Sequence, residues 1–496
     1  MTEHEGSKDV THAARSGAMQ TLTIAVQGML TVTHILLARV FGQAVFGLFQ
    51  TCLATLEIVT RSGTGGAPQG MLRYVAAHRA RGEGDIVRSA LGTGLRLAVG
   101  LSSVLALGLI FASDFVARVA HQPAAALRVM APAAVFTGCV YVLVNASLAN
   151  KVTRANFYVR GLGEPLLFMA AALLAALFGR TVLHLAVAHV LASAASLVLA
   201  LAVVGRVFGR GEIARAVRSP WLPGFARYST PLGAAELMNA IQQKADILLL
   251  TALLGPKVTA GYAAAEFISR VISNARYVFD AVAAPVFSEA INLGQNDRLR
   301  YNLQLMSRWV ATAAVPIAAT VIALRHELLS LYGSAFVTAT TAMAVLAVSH
   351  LMNATFGLMG YILVVGGRSR LVFVNNVIGT VVNVGLAWLL IPRFAIVGAA
   401  IAVLSGVTVG GLLVLVQVRV IHGIYAFGWA TIKPVVAGAI AFTVEMAIGR
   451  FVGVTAIRIL AVIVAGLLSY LVMLFALRLA PEEQRLVTSI RERFRR

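Results

Sequence analysis

Charged side chains stand in pairs, four residues apart, within segments of the chain that are otherwise apolar. The pairs are Glu57 with Arg61, Glu266 with Arg270, and Arg276 with Asp280. Residues four apart share a helix face, so the members of a pair can contact each other. Guanidinium groups bind phosphate oxygens in a fixed fork, and these arginines therefore predict a site for an anionic ligand. The open alternative is that the pairs lie near helix ends and only fix the positions of the helices.

Polar residues form a stripe on two apolar segments. The first stripe includes Gln27, Thr31 and His34; the second, which begins at Glu236, includes Asn239, Gln243 and Asp246, each 212 positions after its counterpart. Polar groups inside a bilayer are costly unless they face one another or water. Two matching stripes therefore predict a hydrated cavity between two related halves, an arrangement typical of transporters.

The elements that position these residues are transmembrane helices. Hydrophobic residues make up 59% of the chain and charged residues 12%, and the mean hydropathy is +0.84. Apolar stretches long enough to cross a bilayer recur throughout. We predict an all-α polytopic membrane protein of about fourteen spans, centred near residues 28, 54, 100, 138, 171, 195, 242, 274, 314, 350, 381, 407, 441 and 467. The second, seventh and eighth spans are the least hydrophobic. We expect no cleaved signal peptide, so the first span remains an anchor.

The formal charge of +21 comes from basic residues whose distribution along the chain is explained by membrane topology. Most Lys and Arg residues fall in loops that alternate with the amino terminus, as the positive-inside rule requires, so we expect both termini in the cytoplasm. We expect no nucleic-acid partner, because no base-reading or stacking motif accompanies the charge. Cys52 and Cys139 lie in apolar segments and indicate no disulfide or metal site.

The two related halves set the predicted domain boundaries. We predict a cytoplasmic tail over residues 1–16, a first lobe over 17–208, a cytoplasmic linker over 209–227 and a second lobe over 228–420. An extra pair of spans follows at 431–479, and an arginine-rich amphipathic tail at 480–496. Six spans per half give both lobes the same orientation in the membrane.

Enzymatic chemistry is not indicated. The sequence Arg325-His326-Glu327 lacks the second histidine of a zinc-protease helix, and Ser330 stands in its place. There is no phosphate-binding loop for ATP, and no loop is long enough to form a catalytic domain. We therefore expect a protein that is not an enzyme and that has no cofactor.

Four sequence stretches resemble a known family. Residues 38–49 read ARVFGQAVFGLF, residues 228–232 YSTPL, residues 246–262 DILLLTALLGPKVTAGY, and residues 391–402 IPRFAIVGAAIA. They are similar to Wzx-type lipid-linked oligosaccharide flippases of the multidrug/oligosaccharidyl-lipid/polysaccharide exporter superfamily. The last stretch departs from the family pattern, because Ala395 replaces the usual glycine.

The resemblance implies a V-shaped pair of six-helix lobes around a cation-lined cavity. The family's cavity cations carry over to Arg61, Lys244, Arg270 and Arg276. The implied function is to flip an undecaprenyl-diphosphate-linked oligosaccharide across the bacterial cytoplasmic (inner) membrane by alternating access. Asp246, Glu57, Glu266 and Asp280 are candidates for proton or sodium coupling, or for charge balance.

The resemblance also implies partners. These are the lipid-linked oligosaccharide, membrane lipids and the polymerase and export machinery of polysaccharide synthesis, and we expect a monomer. A cation-coupled multidrug exporter of the same fold is an alternative, although it predicts a more acidic and aromatic cavity. A membrane glycan polymerase or ligase is a third hypothesis, but the predicted outer loops are short for such an enzyme.

The predicted topology can be tested directly. Single cysteines placed at Glu5 and Glu492 should both be protected from a membrane-impermeant thiol reagent in intact cells and react after permeabilisation, because both tails are expected inside. Labelling of either one in intact cells would contradict the span count.

Overall fold

The structure is a computed structural model that describes residues 29–150, 152–209, 211–451 and 455–477. A few side chains within these ranges, including that of Asp280, are not described. The described residues form helices joined by short turns, and no β-strand occurs among them. The predicted all-α membrane class is confirmed. The predicted tails at 1–16 and 480–496, and Gln27, lie outside these residues.

Long helices account for most of the described chain. Labelled α1 to α14 in chain order, they are Met29–Phe41, Gln43–Gly63, Gly84–Ala120, Ala133–Ala149, Glu164–Phe178, Val182–Phe208, Pro223–Leu254, Pro256–Ser269, Val271–Asn292, Asn296–Ala323, Thr340–Val365, Ser369–His422, Ile432–Phe451 and Thr455–Ala476. Short α-helices lie at Ala67–Gly70, Ala76–Ala80, Ala124–Met130, Arg154–Asn156, Glu212–Arg218 and Arg325–Ser330. Two π-helices (Met71–Val75, Phe157–Gly163) and two 3₁₀ turns (Ser334–Ala339, Trp429–Thr431) complete the described elements.

Ten helical segments of the described chain are long and apolar enough to cross a membrane. One of them, α12, has 54 residues and contains two predicted spans, which meet at a break at Ala395. The predicted spans near residues 242 and 274 correspond to α7 and to α8 with α9. None of these helices is among the ten segments: polar residues lower the hydropathy of α7 and α9, as the sequence predicted for the seventh and eighth spans, and α8, with 14 residues, is too short.

The described chain divides into two compact units. Unit one comprises Met1–Ala264 with Leu386–Ala399, and unit two comprises Ala265–Gly385 with Ala400–Arg496. The core of unit one includes Met71, Leu91 and Phe225, all at most 2% exposed. A core cluster in unit two packs α10 against α13 and α14 through Val315, Ala441 and their neighbours. The lobe boundaries at 17–208 and 228–420, and the extra pair at 431–479, stay predictions.

The linker at 209–227 contains the helix Glu212–Arg218, which packs on the start of α3. Arg88 of α3 donates a hydrogen bond to Glu212 at 3.0 Å, and this bond holds the pKa of that carboxyl below its ordinary value. A side chain at Gly92 would collide with the carbonyl of Ala216, so only glycine allows this close approach.

Within unit one, α2 and α7 run antiparallel and are joined by polar contacts. The hydroxyls of Thr51 and Thr251 lie 2.7 Å apart. At the end of α2, Gly66 has φ +73°, and a Cβ there would collide with the Ser229 carbonyl and the Gly233 amide of α7. The glycine-rich sequence at residues 63–66 is therefore a helix break that permits close packing.

The break in α12 places Ala395 at φ 48° and ψ −129°, a conformation that strains an L-residue but not glycine. Glycine, which the resemblance implies is usual at this position, would adopt this conformation without strain. The side chain of Ala395 is exposed, so its methyl group contributes little packing.

Ala395→Gly should therefore raise the free energy of unfolding by about 1 kcal/mol, because it relieves a left-handed strain of that size. Thermal unfolding of the purified protein measures the change. Ala112→Gly, at an exposed position inside α3, is the matched control and should lower stability by a similar amount, about 1 kcal/mol. A loss of stability in both variants would mean that Ala395 carries no strain.

Candidate functional site

The predicted ion pair between Glu57 and Arg61 on α2 is present, and Arg61 also contacts α7. Arg61 donates to Oε1 of Glu57 through Nε at 3.1 Å and through Nη2 at 2.8 Å. Its third contact, from Nη1 to Oε2 of Glu236 on α7, spans 3.3 Å. The Arg61 guanidinium thus lies between two carboxylates from two helices.

Two further side chains extend this arrangement. The Lys244 ammonium on α7 pairs with Oε2 of Glu57 at 2.9 Å, and Gln69 donates to Oε1 of Glu236 at 2.7 Å. We call Glu57, Arg61, Gln69, Glu236 and Lys244 the α2–α7 cluster. Two cations and two carboxylates balance its formal charge.

The α2–α7 cluster is only partly enclosed. Side-chain exposure is 25% for Arg61, 23% for Glu57 and 12% for Lys244. Glu236 on α7 lies in the same range, at 20%. Such exposure leaves the charged atoms reachable by a ligand while the apolar helix walls reduce screening by solvent.

An aromatic residue and a cation lie beside the cluster. Tyr141 of α4 interacts electrostatically with both Arg61 and Glu57. The guanidinium carbon of Arg160 lies 4.5 Å from the centre of the Tyr141 ring. Arg160 is held in the π-helix Phe157–Gly163, and its buried Nε has no hydrogen-bond partner in the described structure. Such π-turns often occur at functional sites.

Unit two contains the second predicted pair. Arg270 donates through Nη2 to both oxygens of Glu266 at 2.8 Å, and His350 of α11 lies 3.7 Å from the same carboxylate. Ser273 makes a 3.0 Å hydrogen bond with Nδ1 of His350. These four residues, which we call the α8–α11 cluster, join α8 and α9 to α11. Arg270 is 38% exposed, and Glu266 14%.

Arg276 contacts α11 through Asn353. Its Nη1 donates to the side-chain oxygen of Asn353 at 3.2 Å, and the guanidinium lies against Gly357, where any side chain would collide with it. The side chain of Asp280 is outside the described residues, so the predicted Arg276–Asp280 pair stays a prediction.

Asp246 is buried, with 4% exposure, on α7. Its two oxygens accept hydrogen bonds from the Tyr262 hydroxyl at 2.5 Å and from the backbone amide of Ile247 at 2.8 Å. It therefore bonds to α8 through Tyr262. Lys244, two residues earlier on α7, pairs with Glu57 instead.

The remaining polar-stripe residues differ in their surroundings. Thr31 and His34 of α1 are half-buried, and the His34 ring meets Phe46 edge-on with centroids 6.0 Å apart. Asn239 is half-buried and Gln243 is exposed on α7. The described residues contain no group of three or more His, Cys, Asp or Glu that could hold a metal ion.

Sequence reasoning missed several members of these clusters. They are Gln69, Tyr141, Arg160, His350 and Asn353, together with the ion-pairing role of Glu236. Glu236 carried a signal, because it begins the polar stripe of α7. The others lie singly on their helices, and only tertiary packing reveals their partners.

Chemically, each cluster offers guanidinium groups whose partners are carboxylates of the same unit. A carboxylate and a phosphate present similar oxygens to a guanidinium, so an anionic ligand could exchange with the internal partner. The clusters can therefore bind phosphate or carboxylate groups without a metal ion. Arg160 is a further cation, and the described residues include no carboxylate that forms an ion pair with it.

Solved structures of membrane transporters share this fold. The lipid II flippase MurJ in an inward-closed conformation matches with a TM-score of 0.68 at 13% identity, covering 91% of this chain and 98% of that chain. An inward-facing multidrug resistance MATE transporter of the MOP superfamily matches at 0.63 and 15% identity, covering 82% and 94%. A MOP superfamily transporter from Pyrococcus furiosus matches at 0.60 and 14% identity, covering 83% and 95%.

Sequence comparison identifies the family. No curated protein sequence matches the chain. The sequence profile of a family described as polysaccharide biosynthesis proteins matches residues 15–291, more than half of the 496 residues. This range includes Arg61, Arg270 and every other residue of the α2–α7 and α8–α11 clusters except His350. The chain shares its fold with these solved transporters, and it belongs to the polysaccharide biosynthesis protein family.

Proposed function

We propose that this protein flips an undecaprenyl-diphosphate-linked oligosaccharide across the bacterial cytoplasmic membrane. The observation that carries the proposal is the α2–α7 cluster, in which Arg61 and Lys244 stand within membrane helices and remain partly exposed. Intramembrane cations are costly and mark substrate pathways. Membership of a polysaccharide biosynthesis family supports a glycan-carrying lipid as the substrate.

The guanidinium groups of the clusters match the diphosphate of such a substrate. Arg61 contacts Glu57 through two nitrogens, and Arg270 contacts both oxygens of Glu266. The Arg270–Glu266 contact is bidentate, as guanidinium contacts with phosphate often are, whereas both Arg61 nitrogens donate to one Glu57 oxygen. We infer that the internal carboxylates hold the arginines in place until the diphosphate displaces them. The ligand then gains little net charge attraction over the resting pair, which favours release after transport.

Arg160 and Tyr141 fit an early contact with the substrate. The Arg160 guanidinium lies 4.5 Å from the Tyr141 ring, and Arg160 lies in the first third of the apolar segment Arg154–Phe178, near the basic loop that the charge bias predicts to be cytoplasmic. A cation over an aromatic ring offers a charged contact for phosphate and a flat face for a sugar. In this proposal, the lipid tail stays in the bilayer while the polar head crosses by alternating access.

The cellular setting follows from this function. The protein acts in the bacterial inner membrane with both termini cytoplasmic, as a monomer. It receives a finished lipid-linked unit from cytoplasmic glycosyl transfer and delivers it to the polymerase and export machinery. A multidrug exporter of the same fold is the competing proposal, and a substrate test separates the two.

Arg61→Ala and Arg270→Ala should each abolish glycan export without lowering protein level. Lysine at the same positions should restore part of the export, because it keeps the charge but loses the fork. Surface polysaccharide and the lipid-linked intermediate that accumulates inside the cell are the measurements. Arg298→Ala is the matched control, since Arg298 pairs with Glu289 at 2.9 Å on an exposed surface. Full export by both cluster variants would contradict diphosphate binding at these arginines.

Asp246 is the carboxyl that we propose for coupling to a proton gradient, with Glu57 and Asp280 as further candidates. Asp246→Asn keeps the shape of the side chain, and the variant should lose the response of flipping to an imposed pH difference in reconstituted vesicles. Tyr262→Phe removes the hydroxyl that bonds to Asp246 but keeps the carboxyl, so it should retain that response. If wild-type flipping is indifferent to proton and sodium gradients, the coupling role is wrong.

A further inference from the structure

A carboxyl group lies buried in a membrane helix away from both arginine clusters. Glu445 is the fourteenth of the 20 residues of α13, Ile432–Phe451, and it is 1% exposed. It faces α10 and α14 in unit two. None of the residues invoked for substrate binding touches it.

The contacts of Glu445 satisfy only one of its two oxygens. The Thr320 hydroxyl of α10 bonds to Oε1 at 2.6 Å. Oε2 is buried and has no hydrogen-bond partner within the described part of the chain. On the α14 side the carboxyl lies directly against Gly466, where any side chain would collide with it. The site is therefore shaped for a carboxyl group and is lined by apolar helix surface.

The charged and titratable groups of the surrounding helices are engaged elsewhere. On α14, Arg458 pairs with Glu327 at 3.1 Å. Tyr470 of α14 donates to the Thr312 carbonyl of α10 at 3.0 Å. Arg325, beyond the end of α10, donates to the Ile322 carbonyl at 2.7 Å.

On α13 itself, Arg450 is exposed and Lys433 lies near the opposite end of the helix. The described residues thus place no cation in an ion pair with Glu445. An ionised carboxylate in such a position is unfavourable, because it is buried from the surrounding solvent and no ion pair within the described residues compensates for its charge. A proton on the carboxyl removes this cost.

We propose that Glu445 is a reversible proton-binding site, and that its ionisation loosens the packing of α13 and α14 against α10. The ligand is the proton itself. A purely structural hydrogen bond to Thr320 could be made by an amide, whereas a carboxyl adds a charge that appears when the proton leaves.

The neighbouring backbone supports an effect on α10. Pro316 lies inside α10 and has no backbone N–H, so it leaves the carbonyl of Thr312 without its intrahelical partner. The Tyr470 hydroxyl satisfies that carbonyl from α14. The Thr320–Glu445 contact comes one turn after Pro316, at the part of α10 that depends most on the C-terminal helices.

Infrared spectroscopy of the full-length protein in lipid vesicles tests the proposal. The wild type should show the C=O stretching band of a protonated carboxylic acid at neutral pH, and alkaline pH should remove it. Glu445→Gln should lack this band at every pH. Thr320→Val keeps the side-chain volume and removes the hydroxyl, so it should shift the band to the higher frequency of a carbonyl without a hydrogen bond.

Thermal unfolding supplies the second measurement. The unfolded chain releases the proton more readily than the folded chain, so raising the pH should lower the unfolding temperature of the wild type. Glu445→Gln should lose this part of the pH dependence. The proposal is overturned if the band is absent from the wild type, persists in Glu445→Gln, is unchanged in Thr320→Val, or resists alkaline pH while the protein stays folded.

Discussion

Every polar group inside a bilayer must find a partner within the protein, and this constraint organises the molecule. Helices satisfy the backbone, but the side chains of α2, α7 and α8 must be paired across elements. Arg61 of α2 pairs with Glu236 of α7, and Lys244 of α7 pairs with Glu57 of α2, in addition to the local i,i+4 pairs. The helices are held together by the same contacts that make their charges tolerable.

In the proposed function, this pairing also explains how a site for an anion can be kept inside a membrane. A lone guanidinium would be too costly, and a fully buried ion pair would be too stable to open. The α2–α7 cluster lies between these limits, because its members stay partly exposed and its formal charges cancel. Exchange of one oxygen anion for another then changes the local charge balance only modestly.

Local breaks in the helices serve the same constraint. Gly66 lets the end of α2 meet the backbone of α7, and the carbonyl released by Pro316 is satisfied by Tyr470 from another helix. Ala395 is the exception, since it adopts a backbone conformation that suits glycine. Each break gives a long membrane helix a bend or a close contact that a continuous α-helix would not permit.

The sequence by itself determined the all-α membrane class, the helix pattern and the i,i+4 pairs of Glu57 with Arg61 and Glu266 with Arg270. These depend on hydrophobicity and helical spacing, which are local properties of the chain. Only the tertiary structure decided that Lys244 pairs with Glu57, that Arg276 bonds to Asn353, and that Tyr141 lies over Arg160. Those contacts join helices far apart in the sequence, and their geometry depends on how the helices pack, which periodicity along a single helix does not encode.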